Sequence, residues 1–592
     1  LKYFTAGGTL LTENCWDDQY DLAFSLHLEK GESEYLCGNY KEAERYFDEI
    51  LQHARTKVEK AIVYNSRIIL YTNQTRYEDA VRAAIKGLTL FAVHVPFSPT
   101  RFEINWEILK SRILLRRRKA EDLLLARSTD PETESIMTLM MTVGPAALYV
   151  KRDLLNFFIL KLVNQSLRHG NTRVSAVGFV TYAMIVGSVL GDLKSGFELG
   201  KMALELNEQF NNVSLRSKVN HIFALWSSHW RQHARKNIEY CQTAIEAGLE
   251  SGDQIYTCYA ASVLSSTLII TGEPLPAVSR ELNKYYELVN RANYDELRLE
   301  VLIYRHFVAN LLDESSESDK SQFDGLDEQE LQTVLQTFPN KGLFTEYQLY
   351  QIQYLFLMQQ FREAYEIVSA MDPIVSKVFL GHLELAEYTF YASLTLMAVI
   401  HELPHPDQKK AFKQLRRQRK RMKKWASNCA ENFEHKHLLI EAEFARIGER
   451  RSEAMTCYEQ AIASARKNGY TQNLAIANEL AADFYSNTGY SNIADLYYQE
   501  AIYSYKAWGA INKVKDLKQK HPNLLKPPSF DDQSFLMQGN RPAGVPLTEI
   551  SETLDIATVM KASQAISSEI RIEKLLEKLI GILLENAGAQ RG

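Results

Sequence analysis

The feature that most constrains this chain is an order of small and bulky residues that recurs at helical spacing. Gly38 is followed by Tyr40, Ala43, Phe47 and Ile50, and Tyr77, Ala80, Ala84 and Gly87 repeat the order one unit later. Gly191, Leu193, Gly196, Gly200 and Ala203 give it again, as do Phe361 with Ala364, then Ala454, Tyr458 and Ala461, then Gly489, Ala494, Tyr498 and Ala501. Between these points apolar residues return every three or four positions, so the chain reads as nearly all helix. The pattern predicts a helix over 22–36, a break at Gly38-Asn39 and a second helix over 40–51. A break that short makes the two helices antiparallel neighbours.

The steps from Tyr40 to Tyr77 and from Tyr458 to Tyr498 slightly exceed the ~34 residues of a tetratricopeptide unit, whose order of small and bulky positions they share. Small residues sit where paired helices cross closely, and bulky ones fill the gap to the next pair. No pair buries its own apolar face, so pairs must stack on their neighbours. The expected fold is all-α: an irregular tetratricopeptide-like superhelix of antiparallel helix pairs, with a linker and a signalling helix after it. The expected organisation is N-terminal repeats over 1–312, an acidic Ser-rich loop over 313–330 and further repeats over 331–521. A Pro-containing linker over 522–547 and a helix over 548–592 follow. In that last helix Leu554, Val559, Ala562, Ile566 and Ile570 form an apolar stripe, the expected seam of a parallel homodimer.

Composition narrows the function classes. Lys and Arg number 68 against 73 Asp and Glu, a formal charge of −5, so no global charge draws the chain to nucleic acid or membrane. The six cysteines form no CxxC pair and read as reduced, mostly buried thiols. No stretch reaches the ~18–20 apolar residues of a spanning helix. The chain opens at Leu1 without a signal pattern, and the expectation is a cytoplasmic piece of a longer protein.

Several runs resemble one family. They are 432–450 (NFEHKHLLIEAEFARIGER), 166–172 (SLRHGNT), Ala507-Trp508-Gly509-Ala510 with Lys513-Val514, and 555–592. They are similar to the tetratricopeptide region and following segment of large signalling proteins. Those proteins carry a serine/threonine kinase domain, an AAA-type ATPase, then a GAF sensor and usually a histidine kinase. The resemblance implies a non-catalytic relay module and a truncated GAF start at the C-terminal end. It implies ATP and Mg²⁺ in the parent protein, with no cofactor in this stretch. No Gly-rich kinase loop and no GxxxxGK[ST] occurs, so none of the family's catalytic roles transfers to a residue here.

Three local patterns remain. Over 409–424, ten basic residues surround Phe412, Leu415 and Met422; Lys409, Lys410, Lys413, Arg416, Arg417, Lys420, Arg421 and Lys424 are the candidate partner-binding residues. Such a run can meet phosphates or an acidic protein, or be a solvated helix face. His401-Glu402-Leu403-Pro404-His405 spells HExxH, but zinc peptidase chemistry needs both imidazoles a turn apart on an unbroken helix, which Pro404 opposes. Arg168-His169 before Gly170 read as a basic helix end, and Trp226 with Trp230 as core packing. The leading expectation is a module for protein or peptide partners and neighbouring domains. Nucleic-acid or anionic-partner binding through the basic helix 409–424 is the alternative, and a zinc peptidase at 401–405 the weaker one.

Overall fold

In a computed structural model, residues 1–522 are described apart from 9, 117, 119 and 313–325. The expected linker from 523 onward and the Leu554–Ile570 stripe lie outside the described residues. Residues Leu1–Leu525 form one compact unit. It is a helical-repeat structure in which the first expected pair is present as Tyr20–Leu36 and Tyr40–His53.

From residue 175 onward the helices form two layers. Successive helices Val213–Trp226, Gln254–Ile270, Asp295–Leu312, Lys341–Leu357, Glu384–Val399, Ala430–Ile447 and Thr471–Asn487 each touch the next in the series, making an inner layer. Leu193–Gln209, Lys236–Ser251, Leu275–Arg291, Phe361–Val378, His405–Asn428, Arg451–Lys467 and Ser491–Trp508 alternate with them as an outer layer. The inner helices are covered on nearly every side: fifteen of the sixteen residues in Glu384–Val399 are buried. Their buried residues therefore lie on several faces, whereas an outer helix such as Phe361–Val378 buries one apolar stripe of Ala364, Val368, Met371 and Val375.

The alanines of the signature do the packing expected of them, whereas Tyr40 is 40% exposed. Ala43, Ala80, Ala84, Ala203, Ala454, Ala461, Ala494 and Ala501 are all buried. Gly196 faces Gly187 so closely that a Cβ there would lie 2.8 Å from the Ala183 carbonyl oxygen. Gly170, at φ +92, ends the helix Arg152–His169, and a Cβ on it would meet the Arg127 backbone at 2.8 Å. Asn171 beyond it bridges to Arg127 and donates through Nδ2 to the Leu123 carbonyl at 2.5 Å.

Two expectations need correction. The helix Glu328–Thr337 starts inside the segment read as a loop, because Asp327 and Glu330 form a reciprocal capping box. And the hairpins do not pack only on their sequence neighbours. Asn432 Nδ2 donates to the carbonyls of His229 (2.7 Å) and Gln232 (2.8 Å), 203 and 200 residues away. Its Oδ1 accepts from the Ala234 amide (2.8 Å) and the Tyr470 hydroxyl (2.7 Å), so every polar valence of this buried amide is filled. Arg235 donates to the Gly469 carbonyl, Gln472 to Ile270 and Asn512 to Asn310. Trp230 lies against Trp425 and Phe433 at ring distances of 5.3 and 5.5 Å. These contacts join the segments 229–312 and 425–512, and most residues of the inner helices between them are buried.

Candidate interaction surface

With the inner helices largely buried, the outer helices carry exposed charged faces, and His405–Asn428 carries the densest of the basic runs. His405–Asn428 starts where Pro404 ends the preceding turn, with a proline in its first turn as fixed φ allows. Ala411, Leu415, Gln418, Met422 and Trp425 are its buried seam, at steps of four and three. Lys409, Lys413, Arg416, Lys420 and Lys423 follow the same steps two residues earlier, which places them on the opposite face. All five are exposed, and none has a hydrogen bond or ion pair among the described residues. They form a row about 21 Å long at 1.5 Å per residue.

The other cations of the run are engaged. Lys410 pairs with Asp407 at 3.0 Å and Arg417 with Asp372. Arg421 reaches the Ser376 hydroxyl at 3.3 Å, and Lys424 donates to the Gly191 carbonyl at 3.1 Å. Arg419 grips Glu441 with two donors and covers the Phe444 ring at 3.7 Å. So Lys409, Lys413, Arg416 and Lys420 of the eight candidates share the free row, while Lys410, Arg417, Arg421 and Lys424 are tied. Lys423 belongs to the row and was missed. Its signal was the step of three from Lys420, legible only once the seam is known.

The HExxH segment has the wrong geometry for a metal. Ile400–Glu402 is a single 3₁₀ turn, Leu403 is extended, and a new helix begins at His405, so the imidazoles do not sit a turn apart on one helix. No group of three or more His, Cys, Asp or Glu suited to a metal ion occurs among the described residues. The unbroken helix that the peptidase chemistry needs is not present at 401–405.

Sequence reasoning also missed a polar lattice inside the inner layer. Tyr304 Oη lies 2.7 Å from Glu346 Oε1 and 3.0 Å from Glu300 Oε1. A phenol has one proton to give, so the second short contact requires a carboxyl O–H donating to Tyr304. Burial agrees: it pushes Glu300 up to about 7, and it raises Glu346 and Glu384. Glu387 is also raised by burial, against the opposing pull of Lys436, with which it pairs in the interior. Lys513, fully buried, pairs with Glu479 at 2.6 Å, and Tyr505 donates to the same carboxylate at 2.7 Å. Tyr458 donates to Glu443 and Tyr498 to Asp483, fifteen residues back in each case, so two signature aromatics tie neighbouring helices together. A glutamate on an amphipathic helix ordinarily reads as solvated, so nothing in the spacing marked these as internal.

Comparison with known proteins fits this architecture. Residues 330–493 match the family described as CHK1-like, TPR repeats. The chain is 20% identical over 316 residues to "Hybrid signal transduction histidine kinase G" of Dictyostelium discoideum; the match covers 50% of this chain and 9% of that protein. Two solved structures are similar at low scores. One is a Rap protein complexed with competence and sporulation factor: 10% identity, 79% of this chain and 99% of that one, TM-score 0.30. The other is a circular tandem repeat protein with novel repeat topology: 11% identity, 85% and 94%, TM-score 0.13. Neither score is high enough to bear on this chain's function. The chain thus contains a tetratricopeptide-like repeat region and has a distant relative among signalling kinases, and no described helix is long and apolar enough to cross a membrane.

Proposed function

We propose that this chain is a non-catalytic protein-interaction and relay module of a cytoplasmic signalling kinase, and that an acidic protein segment docks on the outer helix His405–Asn428. The observation that carries the reading is the row Lys409, Lys413, Arg416, Lys420 and Lys423, five exposed cations without partners among the described residues, on the face opposite the buried seam. An acidic protein suits the row better than nucleic acid. The chain as a whole is acidic, and Trp425 and Met422 are buried, so neither offers a platform for base stacking. In this reading the flanking ATPase and kinase domains hold ATP and Mg²⁺, a GAF sensor follows, and the Leu554–Ile570 stripe pairs two copies.

Replacing Lys413, Arg416, Lys420 and Lys423 with Glu tests the docking site. Binding of fluorescent poly-glutamate at low salt should fall at least tenfold, with unchanged helical circular dichroism. Equal binding by the parent and the variant sinks the reading, and tighter binding of duplex DNA than of poly-glutamate hands the row to nucleic acid. Sedimentation with and without residues 547–592 tests the seam, since an unchanged monomer in both removes it.

A further inference from the structure

The helix Arg101–Leu115 is apolar on two faces, and among the described residues only one of them is covered. Thr100 and Glu103 start it with a reciprocal capping box. Its inward face is partly polar: Glu107 is buried and held by Lys110 (2.8 Å), Asn164 (2.7 Å) and Lys161 (3.4 Å), and Ser111 donates to Asn164 at 2.9 Å. Ile104, Ile108, Leu114 and Leu115 are half-buried beside them. On the outward face Phe102 is 77% exposed, Trp106 50%, Leu109 45% and Ile113 62%. Steps of four, three and four put these on a single stripe, the arrangement by which one helix receives another. Scattered exposed apolar residues need no explanation, but a continuous stripe on one helix marks an interaction site.

Charge identifies the occupant. Arg101, Arg112 and Arg116 are exposed along one margin of the stripe, and no hydrogen bond or ion pair engages their side chains among the described residues. On the other margin, Glu103 serves the cap and Lys110 is bound to Glu107. One edge therefore offers three free cations beside an apolar ridge. We infer that this helix docks an amphipathic helix whose apolar stripe is bordered by carboxylates on the side facing Arg101, Arg112 and Arg116. This surface is separate from the basic row of His405–Asn428 and does not depend on it.

Two synthetic sixteen-residue peptides with leucine at matching steps test this on the whole chain, one with a glutamate border and one with lysine in its place. Trp106 is the reporter: its emission should shift to the blue with the glutamate peptide and not in Trp106→Phe. The glutamate peptide should bind about tenfold more tightly than the lysine peptide, the scale of a few rim ion pairs. Arg112→Glu with Arg116→Glu should reverse the preference, and Leu109→Asp with Ile113→Asp should abolish binding while leaving circular dichroism unchanged. The inference is overturned if neither peptide shifts Trp106 or if both bind equally. It is also overturned if the shift appears only with vesicles of phosphatidylcholine and phosphatidylserine, or only as the chain self-associates.

Discussion

Asn432 is the strongest single test of the closure between distant repeats. It is 1% exposed, and its side-chain amide makes four hydrogen bonds to the segment 229–234 and to Tyr470. Asn432→Ala leaves the Ala234 N–H, the His229 carbonyl and the Tyr470 hydroxyl buried without these partners. A buried group left unsatisfied costs ~1–3 kcal/mol, so three such groups with a small cavity give about 3–5 kcal/mol at the lower end of that range. Because repeat arrays need not unfold in one step, a single denaturation midpoint is the wrong readout. Hydrogen exchange followed by mass spectrometry reads the site directly. Peptides covering 229–235 and 467–473 should lose about two to three orders of magnitude of protection, as follows from 1.4 kcal/mol per tenfold, while 20–53 stays unchanged. Asn432→Asp should be nearly as damaging, since it turns the donor to two carbonyls into an acceptor. If exchange over 229–235 stays within a factor of three of the parent protein, the closure does not depend on this amide and the argument fails.

The lattice around Tyr304 predicts a pH dependence. A carboxyl whose native value is raised contributes stability below its ordinary value and loses it as pH climbs through the native one; for Glu300 that window runs from about 4.5 to about 7. Glu346 and Glu384, also raised by burial, act in the same direction there, and the charges of Glu384 and Glu296 add to the rise of Glu300, with Ser262 and Ser266 as neutral partners and Lys436 offsetting Glu387 alone. His221, His229 and His382, buried and depressed to about 3, 4 and 3, oppose this on the acid side, where stability falls as pH drops below their ordinary 6.5. Glu300→Gln should therefore gain on the parent chain by about 1 kcal/mol between pH 6 and 8, measured as a widening gap in melting temperature; a constant gap refutes the shared proton. Gly196→Val should drive the Gly187 crossing apart, costing about 3 kcal/mol or more and lowering soluble expression; a normal melting curve would show the crossing can relax.

Much of the fold was legible from residues alone, because its cause is local. Ala454 with Tyr458 and Ala494 with Tyr498 announce a helix crossing wherever they occur, and Pro404 ends a turn whatever surrounds it. The basic run was equally plain. Which of its cations are free was not, since Asp372, Glu441 and the Gly191 carbonyl reach it from other repeats. The same holds for Phe102, Trp106, Leu109 and Ile113: an apolar position reads as core, and only its surroundings show it in water. The runs that resemble signalling kinases contain Asn432, Lys436, Glu443 and Lys513, and the tertiary structure puts all four in the interior, each paired with a residue on another element. Periodicity records the face each helix must bury, and so the repeat class follows from the chain by itself. Partners for buried charges and amides are chosen by contacts between helices, 15 residues apart for Glu443 and 203 for Asn432, which no local spacing encodes, and so these buried pairs and the free cations belong to the tertiary structure alone.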